Sequence, residues 1–199
     1  MKQMYDNEEK IDARERIIKA VLEIIGRTGS IKVTVREISK IADVNLAAIN
    51  YYFRSTNNLL SEVEKYFSDE VYKVNLILAD DSREPKQALA EWTYNLITLL
   101  IKNQGILWII ANKIVKKDSP GILIEKFIDE NLGLIQKRLS QISHNRDQGL
   151  LVFKATQLMS GITFPIIMHN GFGKKFGQDF DDPEVIKKYT ELLIKETIS

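Results

Sequence analysis

An all-α fold is what this sequence predicts, and three observations carry the prediction. Apolar residues recur at three- and four-residue spacing through nearly all of the 199 residues. The strict alternation of a half-buried strand is absent. Only four prolines and ten glycines occur, so long helices can run with few interruptions.

Composition bounds the class. A hydrophobic fraction of 44% and a charged fraction of 28% are ordinary for a globular chain. The length suits one compact domain, or a small one joined to a larger one. With no cysteine there is no disulfide, thiolate metal site or cysteine nucleophile. The opening MKQMYDNEEK is polar and acidic, unlike a secretory signal. No uninterrupted apolar run nears the ~18 residues that span a bilayer. The expectation is a soluble, cytoplasmic protein with no membrane partner. The net charge of +1 hides an asymmetry. Residues 10–60 hold nine Lys/Arg against five acids, a surplus of +4, whereas residues 61–199 hold 18 against 19. A basic N-terminal quarter on a neutral body suits contact with a polyanion.

The first helix is expected from about Asp12 to Thr28. Ile17, Ile18, Val21, Leu22, Ile24 and Ile25 give it one broad apolar stripe, and Gly29 stops it. Thr34 followed by Glu37 fits a capping box that opens a short second helix, with Val35, Ile38 and Ile41 inward. Ala42-Asp43-Val44-Asn45 carries turn chemistry, and Asn45 is a strong N-cap for a third helix. That helix ends near Phe53, because Ser55 caps a fourth. Two short helices joined by a tight turn behind a longer one form a helix-turn-helix. Longer, more apolar helices follow at about 85–102, 104–116, 120–143, 147–169 and 183–197. Breaks are expected at 103–105, 118–121, 144–147 and in GFGKKFGQDFDDP. The organisation read from this is an N-terminal helix-turn-helix domain over residues 1–56 and an all-helical body over 57–199, with the fourth helix, about 56–80, connecting them.

The stretch NLAAINYYFRST, Asn45 to Thr56, suits neither core nor water. At about 100° per residue Ile49 and Phe53 point one way, with Ala47, Ala48 and Tyr51 roughly opposite and Leu46, Asn50 and Tyr52 on the flanks. Such a face fits a DNA major groove. Alanine admits close approach and can meet a thymine methyl, and an amide can pair with adenine N6 and N7. Tyrosine hydroxyls reach phosphate oxygens.

Residues about 12–60 resemble the DNA-binding domain of the tetracycline-repressor (TetR) family of bacterial transcriptional regulators. The family pattern runs from an apolar helix ending near Gly, through T-x-R-x-I-A and a short turn, to a recognition helix ending in Y-x-F, then Ser-Lys-Glu-x-Leu. The matching residues are Gly29, Thr34 to Ser39, Ile41-Ala42, Val44-Asn45, Ile49 to Phe53, Ser55 and Leu59. The resemblance implies that Thr34 and Arg36 contact phosphate or a base edge. It implies that Leu46, Ala47, Ala48 and Asn50 face bases, with Tyr51 and Tyr52 on the backbone, and Asn45 is a further DNA-binding candidate at the start of the helix. Asp43 stands where the family has Gly, and Thr56 where it has the phosphate-contacting Lys. Thr56 can still donate to a phosphate, and Arg54 can take over the charge. A helical ligand- or protein-binding module with weakened DNA binding is the alternative those two departures would produce.

For the body the resemblance implies a small-molecule inducer site and a homodimer through the last two long helices. Leu150 to Met168 is apolar on most of its surface, more than one side of a monomer needs, and Val185, Ile186, Tyr189, Leu192 and Leu193 offer a second stripe. Ser160-Gly161 permits close helix approach. A two-fold dimer would set recognition helices about 34–36 Å apart on a palindromic operator. Polar or aromatic residues within apolar helices are the ligand-pocket candidates: Trp92, Tyr94, Asn95, Trp108, Asn112, Gln157, Met159 and His169. They favour a hydrophobic or flat ligand. No enzyme is expected, and no cofactor or metal. His144 and His169 are 25 residues apart with no acid at ligand spacing, and Gly171 to Gly177 lacks the G-x-x-x-x-G-K-[ST] spacing of a phosphate loop.

Overall fold

In the computed structural model, which describes residues 2–116, 122–143, 146–172 and 179–199, the described residues form helices and connecting turns with no strand. The helices are α1 (Lys2–Thr28), α2 (Val35–Ala42), α3 (Leu46–Phe53), α4 (Thr56–Ala79), α5 (Pro85–Lys102), α6 (Gly105–Lys116), α7 (Ile122–Ser143), α8 (Gln148–Phe172) and α9 (Pro183–Ile198). The breaks expected at 118–121 and at His144-Asn145 lie outside the described residues, as does most of the glycine-rich connector after α8.

α1 starts at Lys2, ten residues before the expected Asp12. Lys, Gln, Met and Glu are good helix formers, and no Gly or Pro interrupts them, so the helix extends beyond its apolar stripe. It ends where Gly29 takes a φ of 64°. The capping box of α2 is complete. The Thr34 hydroxyl oxygen accepts from the Glu37 amide, and the Glu37 carboxylate accepts from the Thr34 amide. Asn45 Oδ1 caps α3 by accepting from Ala48 N at 2.8 Å, and Ser55 Oγ accepts from Asn58 N at the start of α4.

The chain forms two compact units. The first comprises residues 1–67 and 103–118, the second 68–102 and 119–199. α6 thus joins the helix-turn-helix although it follows it by some fifty residues of sequence. The reason is a backbone contact. A Cβ placed on Gly105 would stand 2.3 Å from the Leu22 carbonyl oxygen, so only glycine lets α6 start against α1. Ile106, Leu107 and Ile109 of α6 and Ile17, Val21, Leu22 and Ile25 of α1 are all buried where the two helices pack, and Lys113 pairs with Glu64 at 2.7 Å.

In the second unit α5 packs against α7, α8 and α9. Leu89, Trp92, Leu96, Ile135, Leu158 and Ile162 are fully buried. The α4–α5 corner is bound by Arg138 of α7, whose side chain is 1% exposed. Its Nε donates to Leu78 O at 2.9 Å and its Nη2 to Asp80 O at 2.6 Å.

Candidate nucleic-acid interface

α3 is eight residues long and held from beneath. Ile49 and Phe53 are each 3% exposed, and burying two such side chains stabilises the helix by roughly 1.5–3 kcal/mol each. The turn before it is fixed at three points. Asp43 takes the left-handed conformation (φ 51°, ψ 54°) that the sequence position demands. The Val44 amide donates to Ser39 O at 3.1 Å, and the Ser39 hydroxyl donates to Val44 O at 2.6 Å. Arg16 Nε donates to Ala42 O at 3.1 Å, tying the turn to α1.

With the inner face anchored, the outer face is set. Asn45, Leu46, Ala47, Asn50, Arg54 and Thr56 are exposed, and Ala48 and Tyr52 are half-buried. Tyr51 is 71% exposed, its ring 5.3 Å from that of Tyr52 in edge contact. Thr34 and Arg36 are exposed at the start of α2. These eleven sequence-predicted residues therefore lie on or beside the open side of the helix-turn-helix. One detail changes a role. The Thr34 hydroxyl already donates to Glu37 Oε2 at 2.8 Å, so its proton is occupied by the cap. A phosphate at this helix start would meet the backbone N–H groups of the first turn and the Arg36 guanidinium instead.

The electrostatics are narrower than the sequence suggested. Arg14 pairs with Glu62 and lies over the Phe53 ring. Lys19 pairs with Glu15 at 2.6 Å, and Arg16 serves the turn. Of the nine cations counted in residues 10–60, those of α1 are partly engaged inside the unit. Arg36 and Arg54 have no ion-pair or hydrogen-bond partner for their side chains among the described residues. Sequence gave no sign that Arg54 takes a φ of 61°. Its amide still donates to Asn50 O at 3.0 Å, which ends α3 and turns the chain toward Ser55.

The ligand-pocket residues are dispersed. Trp92 is fully buried with its Nε1 donating to Asn75 Oδ1 at 2.9 Å, a satisfied core tryptophan. Gln157 is exposed on α8, whose apolar side carries the buried Leu158 and Ile162. Trp108 and Asn112 stand on α6 in the first unit, where the Trp108 ring lies 3.7 Å from the Cβ position of Gly29. Tyr94, Asn95 and Met159 are half-buried in the second unit, Asn95 donating to Glu91 O at 2.8 Å. An open cleft of about 530 Å³ in that unit is lined by Lys73, Leu76, Ile77, Ala79, Asp80 and Arg83, and by none of the eight. His169 has a carboxylate beside it. The turn before α9 brings Asp181 to 3.7 Å from its Nε2, an acidic neighbour twelve residues on that helical spacing does not reveal.

α8 leaves a stripe open. Phe153 and Phe164 are 73% and 60% exposed, and only 28% of its apolar window from Gln148 to His169 is buried. By length and mean hydropathy alone this helix could cross a membrane, although Lys154, Gln157, Ser160 and Thr163 interrupt every apolar run. Its Gly161 is used inside the chain. A Cβ there would meet Leu193 of α9 at 2.6 Å, and the Tyr189 hydroxyl donates to Gly161 O at 2.6 Å. Burial raises the Tyr189 phenol above its ordinary value of 10.0, which favours the protonated donor.

The sequence profile of the bacterial regulatory proteins, tetR family, matches residues 17–63, the span from the apolar part of α1 into α4. A protein of Bacillus subtilis, YttP, described as a probable HTH-type transcriptional regulator, is 34% identical over 58 residues, which span 29% of this chain and 28% of that protein's length. The fold extends further than the sequence match. A TetR transcriptional regulator from Legionella pneumophila superposes with a TM-score of 0.71 at 17% identity, over 93% of this chain and 96% of that one. The TetR-family regulator PfmR of Thermus thermophilus gives 0.65 at 16% identity, over 90% and 97%.

Proposed function

We propose that this chain is a TetR-type transcriptional regulator, a reading supported by the family profile over residues 17–63 and by the shared fold, and that it is a cytoplasmic repressor that binds a palindromic operator as a homodimer and is released by a small-molecule inducer. The observation that carries the reading is the open side of α3. Leu46, Ala47, Asn50 and Tyr51 are exposed there, above Ile49 and Phe53 that fix the helix from beneath. Leu46, Ala47, Ala48 and Asn50 meet base edges, Asn50 by a bidentate amide pair with adenine. Asn45, Tyr51, Tyr52 and Thr56 contact the sugar-phosphate backbone, and Arg36 and Arg54 neutralise phosphates.

The dimer rests on the second unit. Phe153 and Phe164 on α8 and Leu192 on α9 are large, apolar and exposed, a surface that a second copy of the two helices would cover. Inducer binding in the body shifts the population between two dimer geometries, only one of which matches the operator's half-site spacing.

Fluorescence anisotropy with the DNA flanking its own gene, at two salt concentrations, tests the DNA reading. The expected result is binding whose log affinity falls steeply with log salt. Absent binding, or binding indifferent to salt, overturns it.

A further inference from the structure

The second unit contains a side-chain cluster that the DNA reading does not use. His169 lies in the last turns of α8, and Asp179 and Asp181 lie in the turn that precedes α9. One potential ligand atom from each of the three lies within 4.8 Å of the others.

The imidazole is the unusual member. Its side chain is 10% exposed, yet Nδ1 is buried with no hydrogen-bond partner among the described residues. Its Nε2 stands 3.7 Å from Asp181 Oδ2, beyond hydrogen-bonding distance. A buried histidine kept for packing normally directs at least one nitrogen to a carbonyl or carboxylate. Among the described residues neither nitrogen makes such a bond, while two carboxylates converge on the ring.

Ring contacts and turn hydrogen bonds frame the cluster. Phe180, between the two aspartates, is 7% exposed. Its ring sits edge-on to His169 at 6.1 Å and to Tyr189 at 5.3 Å. The turn is closed by Asp182 N donating to Asp179 O at 3.0 Å and Asp181 N donating to Asp179 Oδ1 at 3.2 Å. Asp182 itself is occupied as the N-cap of α9, accepting from Glu184 N at 2.9 Å. Burying Phe180 thus carries both flanking carboxylates to the His169 ring.

We propose that His169, Asp179 and Asp181 bind a divalent transition-metal ion of the zinc class, with water completing the coordination. In a tetrahedral site with metal–ligand bonds of about 2.0–2.1 Å, neighbouring ligand atoms stand about 3.3 Å apart. The 3.7 Å separation of Nε2 and Asp181 Oδ2 is close to that, and the exposed Asp181 can rotate to close the difference. One imidazole with two carboxylates suits zinc, cobalt or nickel, whereas magnesium and calcium take six or more oxygens. The ion ties the end of α8 to the start of α9.

The test uses the full-length chain, free of any affinity tag, stripped with a chelator and titrated with Co²⁺ and Zn²⁺. One Co²⁺ per chain, with a visible d–d absorption band displaced by Zn²⁺, is the expected result, together with a Tm that rises with Zn²⁺ and not with Mg²⁺. Asp181→Asn changes an exposed side chain and should weaken Co²⁺ binding at least tenfold, and His169→Gln should abolish the band. If His169→Gln does not fold, Asp181→Asn and Asp179→Asn decide the matter. A wild-type chain without one-per-chain binding overturns the proposal. So does binding that survives these substitutions unchanged, or that is lost instead in His144→Gln.

Discussion

Two regions of this molecule use charge in opposite ways. At the α4–α5 corner the charges of Arg138, Lys137, Asp81, Arg83, Asp80 and Glu91 are engaged within the chain. Arg138 is bound to two backbone carbonyls, Lys137 pairs with Asp81 at 2.6 Å, and Arg83 joins Asp80 and Glu91 at 3.2 and 2.6 Å. On the open side of α2 and α3, Arg36 and Arg54 project without partners among the described residues. A cation engaged within the chain contributes to the fold, and one left without a partner is available to an external polyanion. The difference is one of geometry, since both regions are rich in ordinary Lys, Arg and Asp.

Substitutions break this contrast in order of size. Arg138→Ala should destabilise the chain by about 3 kcal/mol, because it leaves two carbonyls without a donor and a cavity beside them. Urea unfolding checks it, and a loss below about 1 kcal/mol would make the corner indifferent to its arginine. Asn50→Ala should leave the unfolding midpoint unchanged and cost ~1–3 kcal/mol at one operator base pair. Anisotropy on single-base operator variants reads it, and an equal loss on all sequences would make Asn50 a backbone contact. Arg54→Gln should lower the slope of log affinity against log salt by about 0.9, and Thr56→Lys should raise it by a similar amount. If Thr56→Lys creates binding where the wild type has none, the weakened-module alternative replaces the operator reading.

The smallest effect concerns acid. Hydrogen bonds from Ser82 hold Asp80 below the ordinary carboxyl value of 3.8, and the hydrogen bond from Lys137 does the same for Asp81. A folded-state value below the unfolded one means stability that is present above about pH 4. It is lost as pH falls through the lower folded values. Asp81→Asn should therefore narrow the difference in thermal midpoint between pH 5 and pH 3 by a small margin, because both carboxylates lie at the surface, where solvent screens them.

What the sequence revealed and what it concealed divide by range along the chain. The Thr34–Glu37 box, the Asn45 cap, the Asp43 turn and the Gly29 stop are each decided within about five residues, so residue type at fixed spacing is enough to read them. The open side of α3 was legible for the same reason, because two buried anchors four residues apart fix the direction of everything between them. The pairing of Arg14 with Glu62, the placement of Arg138 at the α4–α5 corner and the approach of Asp181 to His169 join residues 48, 58–60 and 12 positions apart. No periodicity encodes such meetings, which depend on which helices pack together. The split of the pocket candidates between α6 and the second unit has the same origin.

The contact of Gly105 with the Leu22 carbonyl has a consequence for how the protein can be made and exchanged. The helix-turn-helix unit is assembled from two stretches of chain, and its second stretch, residues 103–118, is synthesised after α4 and α5. On the ribosome its core cannot close until α6 has emerged, so a nascent chain arrested before residue 105 should remain protease-sensitive across α1 to α3. A chimera that grafts only residues 1–67 onto another body would leave the α1 surface around Leu22 open to water. The helix-turn-helix unit of this chain is thus a discontinuous piece, with its last helix encoded inside the gene segment for the body.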